Sequence, residues 1–195
     1  TVLSAMRRPQ LICLGLSHQT ASVELREQAA CTVEDLCSLQ HYSDIQQPHS
    51  NVHEFVLLST CNRFELYAVV AEEVTDPRSA LLAFLTASTP VDPALLNEHL
   101  YMLVGMDAAE HLARVAAGVE SLVLGESQIL GQVSRAYSNA VENHTLGPVL
   151  DATFRMAIRA GKRVQAETSI SCGSVSISSV AVGMAERVRG SLSQQ

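Results

Sequence analysis

Cys61 and His111 are the residues of this sequence best suited to chemistry, the first as a nucleophile and the second as a proton carrier. An ordinary thiol with a pKa near 8.5 is only about 3% thiolate at pH 7, so a reactive cysteine needs cationic or dipolar help. Arg63 stands two positions from Cys61 on Ser59-Thr60-Cys61-Asn62-Arg63, a polar connection of hairpin length that would expose the sulfur. The plainer alternative is a loop cysteine beside a surface arginine. His111 falls in the first turns of a helix predicted to open at Asp107, with Glu110 as its capping partner. Unpaired N–H groups there favour a neutral ring that can serve as base or donor. A half-buried histidine packing over its own helix is the alternative.

A third group is Ser121 followed by Gly125-Glu126-Ser127-Gln128 and then Gln132. Gln128 and Gln132 lie one turn apart on one helical face, so amides, hydroxyls and a carboxylate together could read an ammonium, a carboxylate or a ribose. A solvated helix face has the same composition. Arg155, Arg159, Lys162 and Arg163 form a basic stripe with no acid between Ala152 and Ala166, suited to phosphates or simply to water. His49 and His53 lack a third ligand nearby, so no metal site is expected.

The elements that must position these groups follow from periodicity. Leu11–Leu16, Val52–Leu58, Phe64–Val70 and Leu100–Val104 read as strands. In the third, Phe64, Leu66, Ala68 and Val70 alternate against Glu65 and Tyr67. Helical spacing is seen from Thr32 to Leu39 and from Arg78 to Ala87, with a loop at Gln46–Asn51 between the first of these and the second strand. Strand, helix, two strands, helix, strand is the order of a ferredoxin-like split βαβ unit, so the fold class expected is α+β. From Asp107 the chain reads as helical almost to its end, with Leu112, Val115, Val119 and Leu122 in one repeat. A second helix opens after Gly125, a third follows Gly147-Pro148 to about Gln165, and Val180–Val188 resumes helical character after a run of small residues. The expected organisation is a lead-in over 1–10, a catalytic unit over 11–145 and a helical extension over 146–195 that starts a long linker helix.

Composition bounds the partners. With 195 residues, 47% of them hydrophobic, the chain can bury a core. Thirteen basic and twenty acidic residues give a net charge of −7, which argues against nucleic-acid binding by bulk positive charge. No apolar run approaches membrane-spanning length, and no partner membrane is expected. Five widely spaced cysteines without a Cys-x-x-Cys fit a reducing compartment better than a disulfide framework.

Taken together, these stretches resemble the glutamyl-tRNA reductase family. The likeness is carried by Gly15-Leu16-Ser17-His18-Gln19-Thr20-Ala21, Leu25-Arg26-Glu27, Leu58-Ser59-Thr60-Cys61-Asn62-Arg63 and His111-Leu112-Ala113-Arg114-Val115-Ala116-Ala117-Gly118. It continues through Ser121-Leu122-Val123-Leu124-Gly125-Glu126-Ser127-Gln128-Ile129-Leu130-Gly131-Gln132, Gly161–Thr168 and Gly173–Ile177. The resemblance implies that the Cys61 thiolate attacks the ester of glutamyl-tRNA(Glu) and forms a glutamyl thioester. NADPH then reduces the thioester to glutamate-1-semialdehyde for tetrapyrrole synthesis. It implies an activity role for His111 and places Thr60, Asn62, Arg63, Ser121, Glu126, Ser127, Gln128 and Gln132 at substrate-pocket positions. Arg63 would meet the glutamate carboxylate with its planar fork.

Gln19, Phe64 and Ser127 depart from the residues frequent in the family, without touching the nucleophile. No Gly-x-Gly-x-x-Gly follows a strand, so this chain is expected to lack the NADPH site, and at 195 residues it is also expected to lack the dimerisation domain of full-length members. It would then be limited to thioester formation and hydrolysis. Glutamate-1-semialdehyde aminomutase is a candidate partner, and the compartment implied is a bacterial cytoplasm or a plastid stroma. The alternative is a non-catalytic module that holds glutamyl-tRNA, haem or a regulatory protein.

Overall fold

The computed structural model describes residues 9–37, 52–87, 89–126 and 128–171. The loop expected at Gln46–Asn51, Ser127 and the helix expected at Val180–Val188 lie outside the described residues, as does nearly all of the 1–10 lead-in.

Four strands form one sheet: β1 (Gln10–Ser17), β2 (Val52–Ser59), β3 (Arg63–Val70) and β4 (Tyr101–Val104). Their order is β2-β3-β1-β4 and every pairing is antiparallel, the arrangement expected of a split βαβ unit. Between β1 and β2 lie α1 (Val23–Ala29) and α2, described over 33–37; between β3 and β4 lie α3 (Pro77–Thr86) and α4 (Pro93–His99). Then come α5 (Met106–Ala116), α6 (Gln128–Glu142) and α7 (Pro148–Glu167).

Both faces of the sheet are covered. Ile12, Leu14, Phe64, Leu66 and Ala68 meet Leu25, Leu36, Leu81, Leu85 and Leu96 of α1–α4 in one core. Cys13, Val56, Tyr67 and Val69 meet Leu112, Val115, Val133, Leu150 and Phe154 of α5–α7 in the other. The alternation along β3 therefore separates two cores rather than core from water, and all eight of its residues are buried. Glu65 and Tyr67, which the pattern suggested for a polar face, lie on the side covered by the last three helices.

Local chemistry explains the helix ends. Ser22 caps α1, and Asp76 and Asp92 cap α3 and α4, each followed by a proline at the first helical position. Two of these helices, α1 and α4, are seven residues long and were not expected, because so short a run shows little periodicity. The Asp107–Glu110 capping pair is not formed. Gly105, at φ 60°, turns β4 directly into the helix and is itself the N-cap, which leaves Asp107 inside the first turn.

Nor does α5 run on through Val119 and Leu122. Gly118, at φ 77°, donates to the Val115 carbonyl while Val119 donates to that of Arg114, and this Schellman arrangement stops the helix. Val119 and Leu122 are exposed in the connection that follows.

The edge strand β2 is tied to the helical layer. The Phe55 N–H donates to the Thr145 carbonyl at 2.9 Å, and Thr145 Oγ1 donates to the Phe55 carbonyl at 2.8 Å. Glu54 accepts from the Val149 and Leu150 N–H groups at 3.2 and 2.7 Å, which caps α7 from across the sheet. Where α7 crosses α5, a Cβ on Gly161 would lie 2.6 Å from the Ala116 carbonyl oxygen. Gly161→Ala is expected to lower stability by about 1–3 kcal/mol through this overpacking, despite alanine's better helix propensity. A urea midpoint at or above that of the parent would refute the close approach.

Candidate active site

The β2–β3 turn is built to display one side chain. Thr60 Oγ1 accepts from the Asn62 and Arg63 N–H groups at 3.2 and 3.1 Å, and the Thr60 N–H donates to the Arg63 carbonyl at 2.8 Å. Cys61 sits at the tip, exposed, whereas Cys13 and Cys31 are buried and Cys37 is half-buried. The turn is also gripped from outside. Arg26 of α1, itself buried, donates to the Cys61 carbonyl from Nε and Nη2 at 3.3 and 3.1 Å and to the Ala21 carbonyl from Nη1 at 2.6 Å. The His18 N–H donates to the Asn62 carbonyl at 2.9 Å.

Arg63 begins β3 opposite Ser17, and only 2% of it is exposed. Nη1 donates to Glu65 Oε1 at 2.5 Å and Nη2 to the Glu120 carbonyl at 2.5 Å. Two of its donors are thus committed within the protein, so a bidentate grip on a substrate carboxylate would use the remaining ones or displace these.

Glu65 is the hub. Beyond Arg63, its oxygens accept from Tyr101 at 2.5 Å, from Tyr67 at 2.6 Å and from His111 Nε2 at 3.0 Å. Burial pushes its carboxyl up, but the His111 hydrogen bond and the Arg63 charge outweigh this and hold it down at about 2. His111 also meets the edge of the Tyr101 ring, with centroids 5.7 Å apart. A carboxylate, rather than the bare end of a helix, therefore orients the histidine.

His18, Thr20, Arg63, Tyr101, His111 and Glu120 line a cleft of about 280 Å³. His18 Nδ1 is buried there without a hydrogen-bond partner, and burial followed by the Arg63 and Arg26 charges lowers its pKa. Gln132 lines a separate cleft of about 420 Å³ with Ser59 and Arg135.

The expected residues fall into three positions. Thr60, Cys61, Asn62 and Arg63 share the hairpin, and Glu65 joins His111 to Arg63. Ser121 and Glu126 are half-buried in the connection described over 117–126, which Arg63 anchors through Glu120; Gln128 is exposed at the start of α6. The basic stripe lies exposed on α7, with Arg155 3.7 Å from Asp151 and Arg163 held by Glu167 at 3.0 and 3.1 Å. Arg26, Glu65 and Tyr101 were not singled out as site residues. In the sequence Glu65 reads only as an acid on the polar side of an alternating strand; its burial under the last three helices is what makes it a site residue.

Cys13, Glu65 and His111 bring three metal-ligand atoms within 4.8 Å of one another. Glu65 already accepts from four donors, three of them on Oε1, and burial raises the Cys13 thiol well above its ordinary value; both features disfavour a cation at this cluster. The described residues do not fit a dinucleotide: every strand pairing is antiparallel, and the parallel βαβ crevice that binds one is absent among them. No described helix is long and apolar enough to cross a membrane.

Residues 14–168 match the family described as glutamyl-tRNAGlu reductase, N-terminal domain. A glutamyl-tRNA reductase of Picosynechococcus is 45% identical over 189 residues, which cover 95% of this chain and 43% of that protein. One from Cyanophora paradoxa is 40% identical over 183 residues, covering 90% of this chain and 40% of that protein. The solved glutamyl-tRNA reductase from Methanopyrus kandleri superposes with a TM-score of 0.67 at 36% identity, over 93% of this chain and 41% of that one. The chain therefore spans about two fifths of the length of these relatives.

Proposed function

The chain belongs to the glutamyl-tRNA reductase family, and from that premise we propose that it carries out the acyl-transfer half of the family's reaction on glutamyl-tRNA. The observation that supports this most is an exposed thiol fixed by its own backbone carbonyl to a buried arginine, two residues from the arginine that enters the His111 cleft.

The Cys61 thiolate adds to the ester carbonyl carbon of glutamyl-tRNA. The carbon–oxygen bond to the terminal ribose then breaks, the ribose oxygen leaves and takes up a proton, and a glutamyl thioester remains on Sγ. His111, held by Glu65, manages that proton in this reading. Arg63 gives the cleft cationic character and His18 adds a polar ring nitrogen, both suited to the glutamyl side chain. Thr60 and Asn62 hold the turn, and Ser121, Glu126, Ser127, Gln128 and Gln132 complete the substrate environment. Water releases glutamate from the thioester. Reduction by NADPH to the semialdehyde would belong to the whole protein, as would dimer formation and any contact with an aminomutase.

Incubation with tRNA charged with labelled glutamate, without NADPH, followed by an acid quench and peptide mapping, tests the reading. Label on Cys61 is expected, with Cys61→Ser reducing it at least about 10³-fold. A folded chain that acquires no label and releases no glutamate would be a tRNA-binding module instead.

A further inference from the structure

Resting on that acyl-transfer reading, we propose that the larger cleft beside the hairpin seats the ribose-phosphate end of the donor tRNA, with Arg135 receiving a phosphate. The cleft holds about 420 Å³, within the range of small-ligand sites, and polar side chains stand beside Leu57, Leu58 and Ala136 in its walls. Gln132, Arg135 and Asn139 face it from α6 at helical spacing, Thr32 and Glu34 from the start of α2, and Ser59 from the end of β2.

Position argues for the leaving group. Ser59 is the last residue of β2, and the two residues onward to Cys61 span at most about 7 Å. In the strand order β2-β3-β1-β4, this cleft adjoins β2, while the His111 cleft is lined from β3, β4 and the end of β1. The turn that carries the sulfur therefore connects a residue of one cleft, Ser59, to a residue of the other, Arg63. An ester whose carbonyl meets Cys61 has two arms. With the glutamyl arm on the Arg63 side, the ribose arm falls toward Ser59 and α6.

Chemistry agrees with position. Arg135 forms no ion pair among the described residues, unlike Arg63, Arg114, Arg155 and Arg163. A planar guanidinium with open donors matches phosphate oxygens. The side-chain amides of Gln132 and Asn139 both donate and accept, as ribose hydroxyls require. One local cation also reconciles tRNA binding with a net charge of −7.

The test compares two donors of labelled glutamate on this chain: glutamyl-tRNA and the α-benzyl thioester of glutamate, which has no nucleotide. Arg135→Glu, with Arg135→Gln as a milder variant, should raise the half-saturating concentration of glutamyl-tRNA about tenfold while sparing the maximal labelling rate. Loss of one phosphate contact should also flatten the salt dependence by about 0.7 in log–log slope. Labelling from the thioester should stay within about twofold. Equal losses with both donors, or no change with either, would overturn the nucleotide seat while the acyl-transfer reading stands. A parent chain labelled by neither donor would defeat both.

Discussion

Removing the Glu65 carboxylate is expected to cost the fold about 3–5 kcal/mol, because Glu65→Ala strands a guanidinium that is only 2% exposed. Two tyrosine hydroxyls and the His111 ring lose their acceptor in the same step. Glu65→Gln keeps the shape but replaces one acceptor oxygen with a donor facing donors, so it should fall between parent and alanine. The acid limb of stability gives an independent check. Burial opposes the charge on Glu65, yet His111 and Arg63 hold its folded pKa at about 2, below the ordinary 4.5. A depressed carboxyl contributes stability that is complete above the unfolded value and lost as pH falls through the folded one. About 3 kcal/mol should therefore disappear between pH 4.5 and 2 in the parent. Urea titrations at several pH values would show this slope, and Glu65→Gln should lack it. An unchanged acid limb in that variant would mean that Glu65 is not the group concerned.

Arg26→Ala is the second large effect. It deletes the donors to the Cys61 and Ala21 carbonyls; the Ala21 acceptor, left buried without a partner, costs roughly 1–3 kcal/mol, and the half-buried Cys61 carbonyl less. The consequence for chemistry is separate. With its carbonyl released, the turn can rock, and displacement of a reacting atom by about 1 Å can cost 10²-fold in rate. Labelling of Cys61 from glutamyl-tRNA should therefore slow by about that factor in the folded fraction, mainly in the maximal rate rather than in half-saturation. Arg26→Lys keeps a cation but not the fork, so it should recover stability better than rate. A folded Arg26→Ala protein that labels at the parent rate would show that the turn needs no such hold.

The two effects mark how far the sequence could be read. The four strands were legible at Leu11–Leu16, Val52–Leu58, Phe64–Val70 and Leu100–Val104, because each is an apolar run bounded by polar turns. The hairpin was legible because Ser59–Arg63 is polar between two such runs. The second core was not: Glu65 and Tyr67 look like the wet face of a strand until three later helices cover it. Long-range partners are likewise hidden, since Arg26 reaches a residue 35 positions away and His111 meets a carboxylate 46 positions away. Local pattern carries no record of such distances. The Asp107 cap failed for a subtler reason, because a positive φ at Gly105 offered an earlier start than any side-chain oxygen.

The bonds between Thr145 and Phe55 have a consequence beyond holding α6 and α7 in place. β2 is a rim of the sheet, and a rim strand as apolar as Phe55-Val56-Leu57-Leu58 is a template on which another chain can polymerise. Thr145 occupies both outward-facing groups of Phe55, and the irregular register between Val52 and Glu54 spoils the flatness that an invading strand would need. The helical layer thus serves as a stopper against aggregation as well as a wall of the second core. Should the α6–α7 corner come loose, the first casualty would be solubility.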